Sequence, residues 1–325
     1  MRVLVTGGAG FIGSHVAEAL LRRGDRVTIL DNFNDYYDPA RKRANVEPLC
    51  PSPRCRLIEG DLRDPRTVQR AVEGVDLVIH LAAMAGVRYS IGRAPLYTAV
   101  NITGTVNVLE AVRLRGVPQV IFASTSSVYG RSRRLPFRED DPLGAPLAPY
   151  PATKIAGELL GYTYHNLHGL NFTALRFFSV YGPRGRPDMM PFIVTDRIVR
   201  GQPFTLYEGG EMWRDWTYID DIVRGILSAA DRPLGYRRIN LGRGAPVRMA
   251  DFVRIVERLT GRTAQVETSP APPSEPPITY ADITLARTHL DYEPQIDVEE
   301  GMRRFCAWYR ETFPTADSSR KEEAE

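Results

Sequence analysis

Lysine is nearly absent from this 325-residue chain: Lys42, Lys154 and Lys321 are the only three among 42 basic side chains. Arginine carries the rest, and 39 acidic residues leave a net charge of only +3. That balance excludes a polycation able to neutralise a run of phosphates, so nucleic acid is not an expected partner. The scarcity singles out each lysine for inspection. Cysteine is scarce as well. Cys50, Cys55 and Cys306 form no C-x-x-C pair and leave an odd thiol, which argues against a disulfide framework and a zinc site. No metal is expected, and a reducing cytoplasm fits. The apolar beginning is interrupted by glycines and followed by a charged helix, so neither a signal peptide nor a membrane span is expected. The terminal "TADSSRKEEAE" has nothing to bury, and residues 316–325 are expected to be a disordered tail.

What is present is a large apolar fraction, 43%, enough for a full core and for two lobes. Short β-branched runs, "RVLVTG", "RVTILD", "CRLIEGD", "VDLVIHLAA", "QVIFAST" and "LNFTALRFF", alternate with helix-period segments. Such alternation predicts an α/β fold, a doubly wound parallel (Rossmann) sheet with helices on both faces. After about residue 180, proline-rich stretches such as "SPAPPSEPPITYAD" read as loops around a smaller second lobe. The expected division is 1–180 for the first lobe, rejoined by about 216–243, and an interleaved second lobe over 181–315. Helices around Val100 to Arg115 and Tyr150 to Leu167 carry apolar residues on more than one side, which predicts a homodimer.

The densest chemical signal is "VLVTGGAGFIG", with Gly7, Gly10 and Gly13 directly after a strand and at the mouth of a helix containing Phe11 and Ile12. Glycine permits the tight turn and a close backbone approach to a pyrophosphate, while the helix N-terminus offers unpaired N–H donors. Asp31 ends the second strand, where a carboxylate accepts both hydroxyls of an adenosine ribose and repels a 2′-phosphate, favouring NAD over NADP. Asp61 ends the third strand and could meet adenine; a turn or helix cap is the competing reading.

A second constellation lies in "APYPATKIAGELLG", where Tyr150 and Lys154 are four apart on one helical face. A phenol ordinarily titrates near pH 10, too high for a neutral-pH base, but a nearby ammonium favours the phenolate. Thr125 lies at the end of the fifth strand, where ligands bind in open α/β sheets.

Taken together, "TGGAGFIG", "GDLRD", "HLAA", "STSSVYG", "YPATK" and "RDWTYIDD" resemble the extended short-chain dehydrogenase/reductase family, in that family's order and across nearly the whole chain. The resemblance implies that Thr125, Tyr150 and Lys154 are catalytic and that Asn101 helps orient the lysine through water. It also places Asn32, Leu62, Leu81, Ala82 and Ala83 along NAD.

"DNFNDYYD", "AGVRYS" and "YGPRGRPDMMPF" look like the sub-family of UDP-glucuronate 4-epimerases. Serines at 126 and 127 stand where the related 4,6-dehydratases carry an Asp-Glu pair, and Ser179 stands where UDP-galactose 4-epimerases usually have asparagine. Arg186, Ser179, Thr125, Ser126 and Ser127, with Arg88 as a second cation, could hold a C6 carboxylate. By the same resemblance Arg214 meets the diphosphate, while Asp188, Met189, Thr205 and Tyr207 bracket uridine. The family's "GD" is replaced by Ser274 and Glu275 in "PPSEPPITYAD", which puts the ribose contact of Glu275 in question. The implied reaction converts UDP-glucuronate to UDP-galacturonate through a 4-keto sugar, with hydride passing to NAD and back. A UDP-glucuronate decarboxylase, a UDP-glucose 4-epimerase and a non-catalytic dinucleotide sensor stay open beside it.

Overall fold

A computed structural model describes residues 1–314, so the tail expected at 316–325 lies outside the described residues. The glycine-rich start folds as anticipated: β1 (Arg2–Thr6) leads through a four-residue turn into the helix α1 (Phe11–Arg23). Then β2 (Arg26–Asp31), β3 (Cys55–Glu59), β4 (Leu77–His80), β5 (Gln119–Thr125) and β6 (Asn171–Phe177) follow, with helices between them. A seventh strand, Tyr236–Leu241, comes after the helix Ile219–Ala230 and pairs in parallel with β6. The spatial order is Tyr236–Leu241, β6, β5, β4, β1, β2, β3. Every pairing in the sheet is parallel.

Strand residues alternate between two apolar layers because successive side chains point to opposite faces. Val3, Val5 and Ile29 join one core, with Val16 and Leu20 of α1 and Ile222 and Ile226 of the helix Ile219–Ala230. Leu4, Leu30, Val78 and Phe122 join the other, beneath Val68, Val108 and Val112. Both faces are therefore covered, the condition under which a parallel sheet is stable. Among the described residues no helix is long and apolar enough to cross a membrane.

Three two-stranded pairings flank the sheet and build the wall opposite its strand ends. Ser179–Tyr181 pairs with Trp216–Tyr218, Trp213–Arg214 with Val247–Arg248, and Phe204–Tyr207 with Val266–Ser269. The chain leaves β1 toward β2 on one side and continues from β4 on the other. This reversal opens a crevice at the carboxyl ends of the strands, where α/β sheets bind ligands.

Candidate active site

Two clefts occupy that crevice and meet at Tyr150. The first begins at the turn between β1 and α1. Gly7 has φ +69°, and a Cβ there would stand 2.8 Å from the Ala82 backbone. At Gly13 an added Cβ would lie 2.1 Å from the Gly7 carbonyl oxygen. Only glycine allows this closeness of turn, helix and the chain after β4. Gly10 caps α1 without a side-chain hydrogen bond, so the first-turn N–H groups at Phe11, Ile12 and Gly13 face the cleft without a capping side chain.

Asp31 is 8% exposed; its Oδ1 accepts the Phe33 N–H at 2.9 Å and its Oδ2 the Ala9 N–H at 3.1 Å. Burial pushes its pKa up, against those N–H bonds and the charge of Lys42. Asn32 Nδ2 donates to Asp61 Oδ2 at 2.9 Å, and Arg63 forks onto the same carboxylate, holding it down at about 2. Leu62, Leu81, Ala82 and Ala83 give the cleft its apolar wall, and Lys154 closes its inner end.

Asn101 is the exception among the residues expected here. A π-helical turn, Thr98–Thr103, opens the predicted helix and turns Asn101 inward. Its carboxamide accepts from the Met84 N–H at 2.8 Å, and donates to the Met84 carbonyl at 3.0 Å and to Thr153 Oγ1 at 2.9 Å. These bonds engage it away from the cleft wall, so it braces the neighbour of Lys154.

Polar and aromatic cleft residues left unassigned in the sequence include Asn34, Tyr36, Tyr37 and Lys42. Lys42 is 5% exposed and donates to the Asn34 carbonyl at 2.7 Å and to Asn34 Oδ1 at 2.9 Å. The rarity of lysine was the signal that pointed to it.

Tyr150 lies in the first turn of the helix Pro149–His168 and walls both clefts, as do Ser124, Phe177 and Arg186. Burial raises its pKa; the Arg186 charge opposes this first and the Thr125 hydroxyl second. Lys154, the ammonium expected from the sequence to favour the phenolate, donates from Nζ to the Ala123 carbonyl at 2.7 Å and sits 4.9 Å from the Phe122 ring centre. Desolvation lowers its pKa to about 7, with Glu158 acting the other way.

The second cleft is lined by side chains drawn from distant segments. Thr125 Oγ1 caps the turn that carries Ser126 and Ser127, accepting the Ser127 N–H at 3.2 Å. Those three residues line the cleft together with Ser179, Arg186, Asp188, Met189, Thr205 and Tyr207. Arg214 Nη2 donates to Glu275 Oε2 at 2.9 Å, while Arg88 approaches Glu275 Oε1 at 3.5 Å and bonds the Tyr207 hydroxyl at 3.0 Å. Asp188 and Glu275 thus have their carboxylates already engaged by arginines. Two buried lining atoms, Ser274 Oγ and Trp216 Nε1, have no hydrogen-bond partner among the described residues, a condition that suits a ligand's polar groups.

Residues 3–242 match the model of the NAD dependent epimerase/dehydratase family. The chain is 43% identical to UDP-glucuronate 4-epimerase 4 of Arabidopsis thaliana over 94% of its own length and 75% of that protein. It is 42% identical to the UDP-glucuronate 4-epimerase of Thermodesulfobacterium geofontis, covering 95% of this chain and 96% of that one. Among solved structures, UDP-glucuronic acid 4-epimerase from Bacillus cereus in complex with UDP-glucuronic acid and NAD superposes with a TM-score of 0.92. Identity there is 34%, over 96% of this chain and 100% of that chain. The cleft geometry and these likenesses agree: the chain belongs to the NAD dependent epimerase/dehydratase family.

Proposed function

We propose that this protein is an NAD-dependent UDP-glucuronate 4-epimerase, converting UDP-glucuronate to UDP-galacturonate. The observation that carries the reading is the phenol of Tyr150 in the shared wall of the two clefts, with the Arg186 guanidinium beside it. The first cleft fits NAD: its glycine turn admits a backbone-close pyrophosphate, and buried Asp31 suits two ribose hydroxyls while repelling a 2′-phosphate. NAD supplies, when bound, the chemistry that removes hydride from C4 and returns it to either face of the sugar.

The chain's own residues do the rest. Tyr150 takes the proton from the 4-hydroxyl and later gives it back, with Thr125 oriented toward the same oxygen. A cation near the phenol stabilises the phenolate, and Arg186 meets that need. Between the two transfers the sugar is a β-keto acid, which loses CO₂ if its C5–carboxylate bond stands perpendicular to the carbonyl plane. Ser126, Ser127, Ser179 and Arg186 line the second cleft and can grip that carboxylate away from such alignment. Arg214 then serves the diphosphate, and Thr205 and Tyr207 stand where the uridine end extends.

The lobe division follows the same reading, with 1–180, rejoined by about 216–243, holding the cofactor, and 181–315 sharing the substrate wall with it. A cytoplasmic homodimer completes it. Leu114, Leu159, Tyr162 and Leu167 are 59%, 59%, 51% and 65% exposed on two adjacent helices, an apolar face suited to a second copy. Incubation with UDP-glucuronate followed by proton NMR tests the function. Appearance of UDP-galacturonate supports it; a UDP-pentose with CO₂ selects the decarboxylase, and conversion of UDP-glucose alone selects the neutral-sugar epimerase.

A further inference from the structure

Tyr36 belongs to the loop after β2, yet its hydroxyl donates to Asp188 Oδ2 at 2.8 Å across 152 residues of chain. Asp188 in turn accepts both arms of the Arg186 fork, Nε to Oδ1 at 2.9 Å and Nη2 to Oδ2 at 2.7 Å. The Arg186 guanidinium also lies 5.5 Å from the centre of the Tyr36 ring. Tyr89 packs edge-on against that ring at 4.6 Å. Opposite, a Cβ on Gly86 would stand 2.5 Å from the Tyr36 hydroxyl oxygen, so this site closely confines the phenol. Tyr36, Arg186 and Tyr150 all belong to the walls of both clefts.

A two-point fork fixes the plane of a guanidinium only as firmly as its carboxylate is held. Asp188 is a loop residue with a side chain 38% exposed, and the Tyr36 hydroxyl is its third anchor. Burial keeps that phenol protonated well above the ordinary tyrosine range, so it remains a donor throughout the working pH range. Donation to Asp188 also draws negative charge off the carboxylate and leaves more of the Arg186 field for the cleft. Among the described residues Nη1 of Arg186 makes no hydrogen bond, which leaves its donors for an incoming oxygen.

We propose that Tyr36 is a positioning residue that, through Asp188, aims one cation, Arg186, at both the C6 carboxylate of the substrate and the Tyr150 phenol. This rests on the epimerase reading above. It makes the cofactor-side loop a determinant of uronate handling, because loosening Tyr36 loosens the grip on the carboxylate. In a loosened complex the C5–C6 bond of the 4-keto uronate breaks, its electron pair passes into the enolate of the ketone, CO₂ departs and C5 takes a proton from water; the 4-ketopentose then takes back at C4 the hydride removed in the first step, and on O4 the Tyr150 proton, to leave as UDP-pentose.

The test uses the full enzyme with Tyr36→Phe, Asp188→Asn and the double variant, assayed with UDP-glucuronate by NMR and with UDP by calorimetry. Tyr36→Phe should lower kcat/KM for UDP-glucuronate by about 10- to 100-fold, the scale of a lost hydrogen bond to a charged group. A larger share of turnovers should end as UDP-pentose, while UDP affinity and Tm stay at wild-type values. In the Asp188→Asn background the same change should have little further effect, since one pathway is already cut. Unchanged kcat/KM in Tyr36→Phe, a proportional loss of UDP affinity, or additive single-variant effects overturn the inference. A wild-type enzyme inert toward UDP-glucuronate overturns the epimerase reading itself, and this inference with it.

Discussion

The cleft at the β1–α1 turn is walled by backbone and apolar side chains, whereas its neighbour is lined by arginines already paired with carboxylates. In the first, selectivity comes from closeness: Gly7 and Gly13, where an added Cβ would meet other backbone within 3 Å, and one buried carboxylate. In the second, an anionic ligand entering the cleft would meet Arg186, Arg214 and Arg88, each engaged with Asp188 or Glu275. A shape-built site loses its ligand when atoms are added. A charge-built site loses it when a fork is removed, and binding there exchanges one anion for another.

Breaking the junction between the clefts should have the largest effect. Tyr150→Phe is expected to lower kcat by about 10²- to 10⁴-fold, the usual contribution of a general base. UDP affinity and bound NAD should be unchanged, since neither cleft loses a wall; retention of full turnover would remove Tyr150 from proton transfer. Next, Gly13→Val pushes a side chain into the Gly7 carbonyl. NAD affinity should fall by roughly 10- to 100-fold, on the scale of overpacking, with UDP affinity kept. Equal losses of both ligands would show that the clefts are not separable.

Arg214→Ala is the mirror experiment. It should weaken UDP by about 10-fold or more while leaving NAD content intact, as measured by calorimetry and by cofactor absorbance after release. The smallest expected effect concerns Lys154, whose folded pKa is held near 7 against an ordinary 10.5. Between those values the unfolded chain binds a proton that the folded chain releases, so stability rises with pH through this window. Below it the buried charge opposes folding fully. Lys154→Met should therefore raise Tm above wild type at pH 6, by roughly 3 °C or more, with the advantage gone above pH 10.5. A gain of the same size at both pH values would contradict the burial of a charged lysine.

Legibility followed the same division. The glycine turn, Asp31 at the end of β2 and the tyrosine in the first turn of its helix are local features, set by strand and helix periods in one short stretch each. The strand at Tyr236–Leu241 was also readable as a return to the sheet, because the short run "RRINLG" follows a strongly periodic helix. The partners of charged groups were not. Nothing near Tyr36 in sequence announces Asp188, and the Arg186 charge that acts on Tyr150 arrives from another segment. Nor did the sequence announce the partners of Asn101, the Met84 backbone and the Thr153 hydroxyl.

By itself the sequence determined the alternation of strands and helices, the glycine turn between β1 and α1, and the tyrosine in the first turn of its helix. These depend on residues within a few positions of one another, where backbone geometry dictates direction. Only the tertiary structure decided which cation stands beside the phenol, which carboxylates hold which arginines, and that both clefts share a wall. Coulomb and hydrogen-bond terms depend on distances in space of a few ångströms, and folding brings Tyr36 and Asp188 within hydrogen-bond reach from 152 residues apart.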